Sequence, residues 1–265
     1  ARTGARAGRD LSAWGASYFL RPGMPVIEQR LEIDADGRIA RLALVQRPAQ
    51  ALSGRGVWAM KVDVLLQRDG RAEVIPVELS AETTYVTAAR GRRAPDFVFA
   101  NANDYGYGLF LLDEHSRDWL LAQRVHVADP FLRAMLWGSL WDLVREARLD
   151  PALYVDAALA ALPSETDEQI ASRLLGRIAQ AVGTYLRTAD DATLLREIEA
   201  HLLAGAADTA RSYGMRKNYL DTYIRMARTQ RSLGRLDAWL DSTHAAGELL
   251  RQPTLACAQC GPNHE

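Results

Sequence analysis

The stretch Asn101-Ala-Asn-Asp-Tyr-Gly-Tyr-Gly-Leu-Phe-Leu-Leu-Asp113 separates two kinds of sequence. Before it, apolar residues alternate with polar ones and glycine turns interrupt them, the period of strands. After it, apolar residues recur every third or fourth position, the period of helices. Tandem Gly106 and Gly108 lack the third glycine and the strand-to-helix setting of a phosphate loop, so they read as turn chemistry.

Moving back from this stretch, Trp58, Met60, Val62, Val64 and Leu66 make the cleanest alternation, with Lys61 and Asp63 on the opposite face. Asp34-Ala-Asp-Gly37 and Arg68-Asp-Gly70 are turns. Leu31 with Ile33, Leu42 with Leu44, and Ile75, Val77 and Leu79 supply further strands; Thr83 to Thr87 and Phe97 to Phe99 complete about six. Short strands joined by tight turns predict a small antiparallel β-sandwich over residues 25–100.

Moving forward, Asp129-Pro130 and Asp150-Pro151 are helix starts: the carboxylate accepts from free amides, and proline gives up a donor the first turn cannot use. Leu132, Leu136, Leu140 and Leu143 form a stripe widened by Phe131, Met135, Trp137 and Trp141, with the tryptophans read as core. Val155, Leu159 and Leu162 form another. Ser164-Glu-Thr-Asp167 caps a helix carrying Ile170, Leu174, Ile178, Val182 and Leu186. Later helices hold Leu194, Ile198 and Leu202, then Leu220 and Ile224, then Leu236 and Leu240. The expected class is therefore α+β and multidomain: a sandwich, then an all-α HEAT-like solenoid over 101–265, with no sequence repeat to mark its units.

Composition sets bounds. With 265 residues, 48% hydrophobic and 25% charged residues and a net charge of −1, the chain is ordinary for a globular protein. No basic excess points to nucleic acid. Leu11 to Leu20 is too short and too interrupted for a signal or membrane segment, so no membrane partner and a cytoplasmic location are expected. Cys257 and Cys260 sit together near the end and cannot staple the body of the fold.

Asn101 followed by Asp-Tyr-Gly-Tyr-Gly, a Leu-Asp, and Asp129-Pro-Phe-Leu-Arg-Ala-Met-Leu-Trp-Gly-Ser-Leu-Trp-Asp142 together resemble the start of the C-terminal helical domain of aminopeptidase N-type zinc peptidases, nearest the bacterial branch close to the puromycin-sensitive enzymes. Leu11-Ser-Ala-Trp14 with Gly23-Met24-Pro25 resembles the helix that closes the catalytic domain in that family, so residues 1–24 read as its tail. The resemblance runs to about Thr254 and implies the C-terminal portion of an enzyme that removes N-terminal residues from peptides, with zinc in a catalytic domain outside these residues. This portion would shape and cover the peptide chamber. Faces left bare by the missing parts, around Trp14 and Trp239, would favour self-association. The alternative is a non-enzymatic helical scaffold that binds protein or peptide partners on a concave face.

Catalytic chemistry is not carried by this chain. A zinc aminopeptidase needs two histidines one helical turn apart with a glutamate between them. His115, His126, His201, His244 and His264 include no pair four apart, and the family's Gly-x-Met-Glu-Asn motif is missing. Cys257, Cys260 and His264 are three potential ligands where structural zinc wants four, so no metal is assigned. Asp113-Glu114 beside His115 reads as carboxylates at the positive end of a helix. One cluster keeps a functional reading: in Ser212-Tyr-Gly-Met-Arg-Lys-Asn-Tyr219, the residues Tyr213, Arg216 and Lys217 would line the substrate chamber, an arginine fork matching a peptide carboxylate. Its alternative is a solvated helix start.

Overall fold

The computed structural model describes residues 12–20, 22–49, 56–186 and 192–241, and within these the chain divides into two compact units, residues 1–161 and 162–265. Trp14 (its side chain), Cys257, Cys260 and His264 lie outside the described groups.

The first unit opens with a short helix α1 (Ser12–Gly15), continued by a π-helical turn, Ala16–Leu20. Seven strands follow among the described residues: β1 (Pro25–Ile33), β2 (Ile39–Pro48), β3 (Met60–Arg68), β4 (Arg71–Leu79), β5 (Thr83–Tyr85), β6 (Phe97–Phe99) and β7 (Leu109–Leu111). They form a sheet of order β5-β2-β1-β7 and a second of order β4-β3-β6. Both expected hairpins are present, β1 with β2 and β3 with β4, each antiparallel. Their buried side chains, Val26, Ile27, Leu42 and Leu44 from one sheet and Val62, Val64, Ile75 and Phe97 from the other, make the core. Gln29 bridges the sheets: its Nε2 donates to the carbonyl of Val98 at 2.8 Å.

One expectation is corrected here. The sheets are not purely antiparallel, because β7 runs parallel to β1, Val26 opposite Leu109. The chain leaves β6 in one sheet, passes through the Asn101 loop, and re-enters the other beside β1; such parallel pairing needs a crossover, not a hairpin. By compactness, the chain divides between residues 161 and 162. The strands continue to Leu111, and the first three long helices belong to the same unit: α2 (Glu114–Ala122) packs on β6, α3 (Pro130–Arg145) on β7, and α4 (Pro151–Ala161) against both helices.

The Asn101 loop is built from its own side chains. Asn101, 2% exposed, accepts from the Gly106 amide at 2.8 Å and donates back to the Gly106 carbonyl at 3.2 Å. Gly108 has φ of +140°, which L side chains rarely adopt, and an added Cβ would press on the Pro25 carbonyl. This sharp turn aims Leu109 at β1. Asp113 then starts α2, accepting from the Ser116 amide at 2.9 Å, as its place at a helix start predicts. Asp129 and Asp150 accept from Phe131 and Ala152 amides at 2.9 and 2.8 Å. Trp137 and Trp141 are core, both packed on Tyr154 of α4.

The second unit holds α5 (Glu168–Gln180), extended by a π turn Ala181–Tyr185, then α6 (Ala192–Ala207), α7 (Tyr213–Met226) and α8 (Gln230–Asp241). Asp167 caps α5, accepting from Gln169 and Ile170 amides at 2.8 and 3.0 Å, and Ser164 ends the 3-10 turn before it. α7 packs on both α5 and α6. These helices are the α half of an α+β chain. Ile224, expected in the stripe of α7, is 47% exposed, and Tyr223 and Met226 fill the core instead.

Candidate functional site

The cluster singled out in the sequence sits on the first two turns of α7, whose start is held from several sides. Ser212 caps it, accepting from the Met215 amide at 3.1 Å, and its hydroxyl also bonds the carboxylate of Glu168 on α5. Next to it, Arg211 is an anchor: it pairs with Asp208 at 3.0 Å, donates to the Pro163 carbonyl at 3.1 Å, and lies over the Tyr219 ring at 5.1 Å.

Within this frame the three candidate residues separate. Tyr213 is 43% exposed, and Lys217, four positions on and also exposed, shares its face. Lys217 pairs with Asp221 at 2.6 Å along the helix, and that carboxylate raises its pKa further above the ordinary lysine value. Arg216 points the other way. It is 2% exposed, and its Nε donates to the Ala206 carbonyl at 3.0 Å, in the last turn of α6. There the guanidinium satisfies a carbonyl that has no partner within its own helix. Tyr219 is also interior, and burial raises its pKa above the ordinary phenol value. The face available to a ligand therefore carries one tyrosine and one lysine already paired with an aspartate. The spacing of Arg216 from Lys217 held the warning: adjacent helical residues point about 100° apart.

The sequence did not signal the setting of His201 or a groove of about 400 Å3 in this unit, lined by Arg196, Leu203, Tyr223, Arg231 and Arg235 among others. His201, half-buried on α6, is held below the ordinary imidazole pKa, first by burial and then by the positive charge of Arg211. Their signal was absent from the sequence because the contributing residues lie on separate helices. Among the described residues no three His, Cys, Asp or Glu side chains gather as a metal site would require.

Residues 97–254, more than half of the chain, match the ERAP1-like C-terminal domain family, and the chain belongs to it. Among curated proteins it is 28% identical over 251 residues to Aminopeptidase N of Streptomyces lividans, covering 89% of this chain. The chain spans 29% of the length of that relative. Among solved structures, the aminopeptidase A of Legionella pneumophila, crystallised in complex with aspartic acid, superposes with a TM-score of 0.55 at 12% identity. That likeness covers 95% of this chain and 32% of the other, and it speaks for the fold alone. The resemblance drawn from the Asn101–Asp142 residues is thereby shown to be one of family.

Proposed function

We propose that this chain is the C-terminal portion of a zinc aminopeptidase that removes N-terminal residues from peptides, and that its helices, stacked as HEAT-like pairs, shape and cover the peptide chamber. The observation that carries this reading is family membership over residues 97–254, supported by similarity to an aminopeptidase across 89% of the chain. The residues described here do not fit a zinc site: no two histidines stand four apart, and no ligand cluster forms among the described groups. Zinc and the catalytic residues belong to the catalytic portion, and no hydrolytic step is assigned to these side chains. Peptide substrate is the expected partner. Phe19 and Leu20, 76% and 82% exposed, and Leu240, 84% exposed, are the faces where further protein would lie, whether the rest of the enzyme or a second copy.

The role of the α7 face is tested in the aminopeptidase that carries this segment. Replacing Tyr213→Ala and Lys217→Ala together is expected to lower kcat/KM for peptides about three- to tenfold while leaving a short aminoacyl reporter unchanged, the pattern of lost remote binding. Equal kinetics for peptide and reporter in the double variant would remove these residues from the chamber.

A further inference from the structure

The β3–β4 hairpin ends in Arg68-Asp69-Gly70-Arg71, with Arg68 directly opposite Arg71 in the ladder. Like charges facing each other across antiparallel strands are unfavourable, so folding alone does not account for this pair. A second arginine run, Arg90-Gly91-Arg92-Arg93, arrives beside it and brings Arg92 and Arg93 to the same cavity of about 360 Å3. Leu66, Ala72 and Pro95 supply the apolar part of the cavity lining.

Two of the four guanidinium groups are occupied. Arg68 pairs with Asp69 at 3.1 Å. Arg92 pairs with Glu73 and donates from Nε to the Ala88 carbonyl at 2.7 Å. Asp96, the other acidic group nearby, accepts from the Asp69 amide at 2.7 Å. Arg71 and Arg93, both exposed, have no carboxylate partner among the described residues. This local positive charge stands on a chain whose net charge is −1. Such a local field draws in acidic partners.

We propose that this arginine corner is a docking site for an acidic peptide segment of a partner protein, with Arg71 and Arg93 each taking a carboxylate. A planar guanidinium matches a carboxylate with two parallel hydrogen bonds, and the apolar lining suits the methylene stems of glutamate. The proposal does not depend on the chamber role of α7.

The test is titration of the full chain with a fluorescein-labelled, end-blocked hexaglutamate at low ionic strength. Saturable binding is expected, weakened at least tenfold in Arg71→Gln/Arg93→Gln, partly in each single variant, and not in Arg173→Gln, which removes an exposed arginine from the other unit. Added salt should weaken it further. Thermal melting of the double variant should match the parent, which separates lost binding from lost folding. The proposal fails if hexaglutamate does not saturate, if the double variant binds as the parent does, or if hexaglutamine binds as well. Displacement by inorganic phosphate at the peptide's own concentration would also overturn it, because the corner would then be a simple oxyanion site.

Discussion

Glu199 is carried on α6 with 2% of its surface exposed, and its carboxylate serves the start of α8. It accepts from the Arg228 and Thr229 amides at 2.7 and 3.0 Å, from the Ser232 hydroxyl at 2.6 Å, and from the Thr229 hydroxyl. Burial by itself would raise its pKa; the hydrogen bonds from Ser232, Thr229 and the two amides outweigh burial and hold it below the ordinary 4.5. A folded-state pKa below the unfolded one means stability fully present above the unfolded value and lost as pH falls through the folded one. Glu199→Ala should therefore cost about 2–3 kcal/mol in urea denaturation at pH 7. It should also flatten the loss of stability below pH ~4.5. An unchanged acid limb in the variant would contradict the assignment. The role of Glu199 was not legible in the sequence, since its partners lie 29 to 33 residues away. Asp113, Asp129 and Asp150 were legible, because a cap is settled by its immediate neighbours.

At the scale of elements, α6 and α7 pack where Gly205 meets the ring of the buried Tyr219. A Cβ at Gly205 would overlap that ring, whereas one at Gly176 on α5 meets nothing within 4 Å. Gly205→Ala is thus expected to destabilise by about 1–3 kcal/mol through overpacking. Gly176→Ala should stabilise by about 0.5–1 kcal/mol, since glycine in a helix interior costs backbone entropy. Chemical denaturation of the two variants side by side decides it, and a neutral Gly205→Ala would mean the helices can part without cost. The two hairpins and the long helices followed from period and turn residues. The parallel β7 did not, because three residues, Leu109 to Leu111, carry no period and their partner is 83 positions earlier, Val26 opposite Leu109. The same limit hid Ile224: two stripes one residue apart both fit the sequence of α7, and only the position of α5 and α6 chooses between them.

For the whole molecule, the order of strands followed by helices, and the family to which it belongs, were both readable from Asn101 to Asp142. The packing of α2 on β6 and of α3 on β7 was not, since both helices carry plain helical period. The proposed function sets the chain in a longer enzyme, and the chain spans 29% of the Streptomyces relative. The decisive measurement is release of N-terminal residues from peptides by the native polypeptide containing this segment, purified from its own cells, before and after zinc removal. The proposed function predicts release that stops when zinc is chelated and returns when it is restored. A native polypeptide with no such release, in either state, would contradict it and leave the helical-scaffold reading in its place.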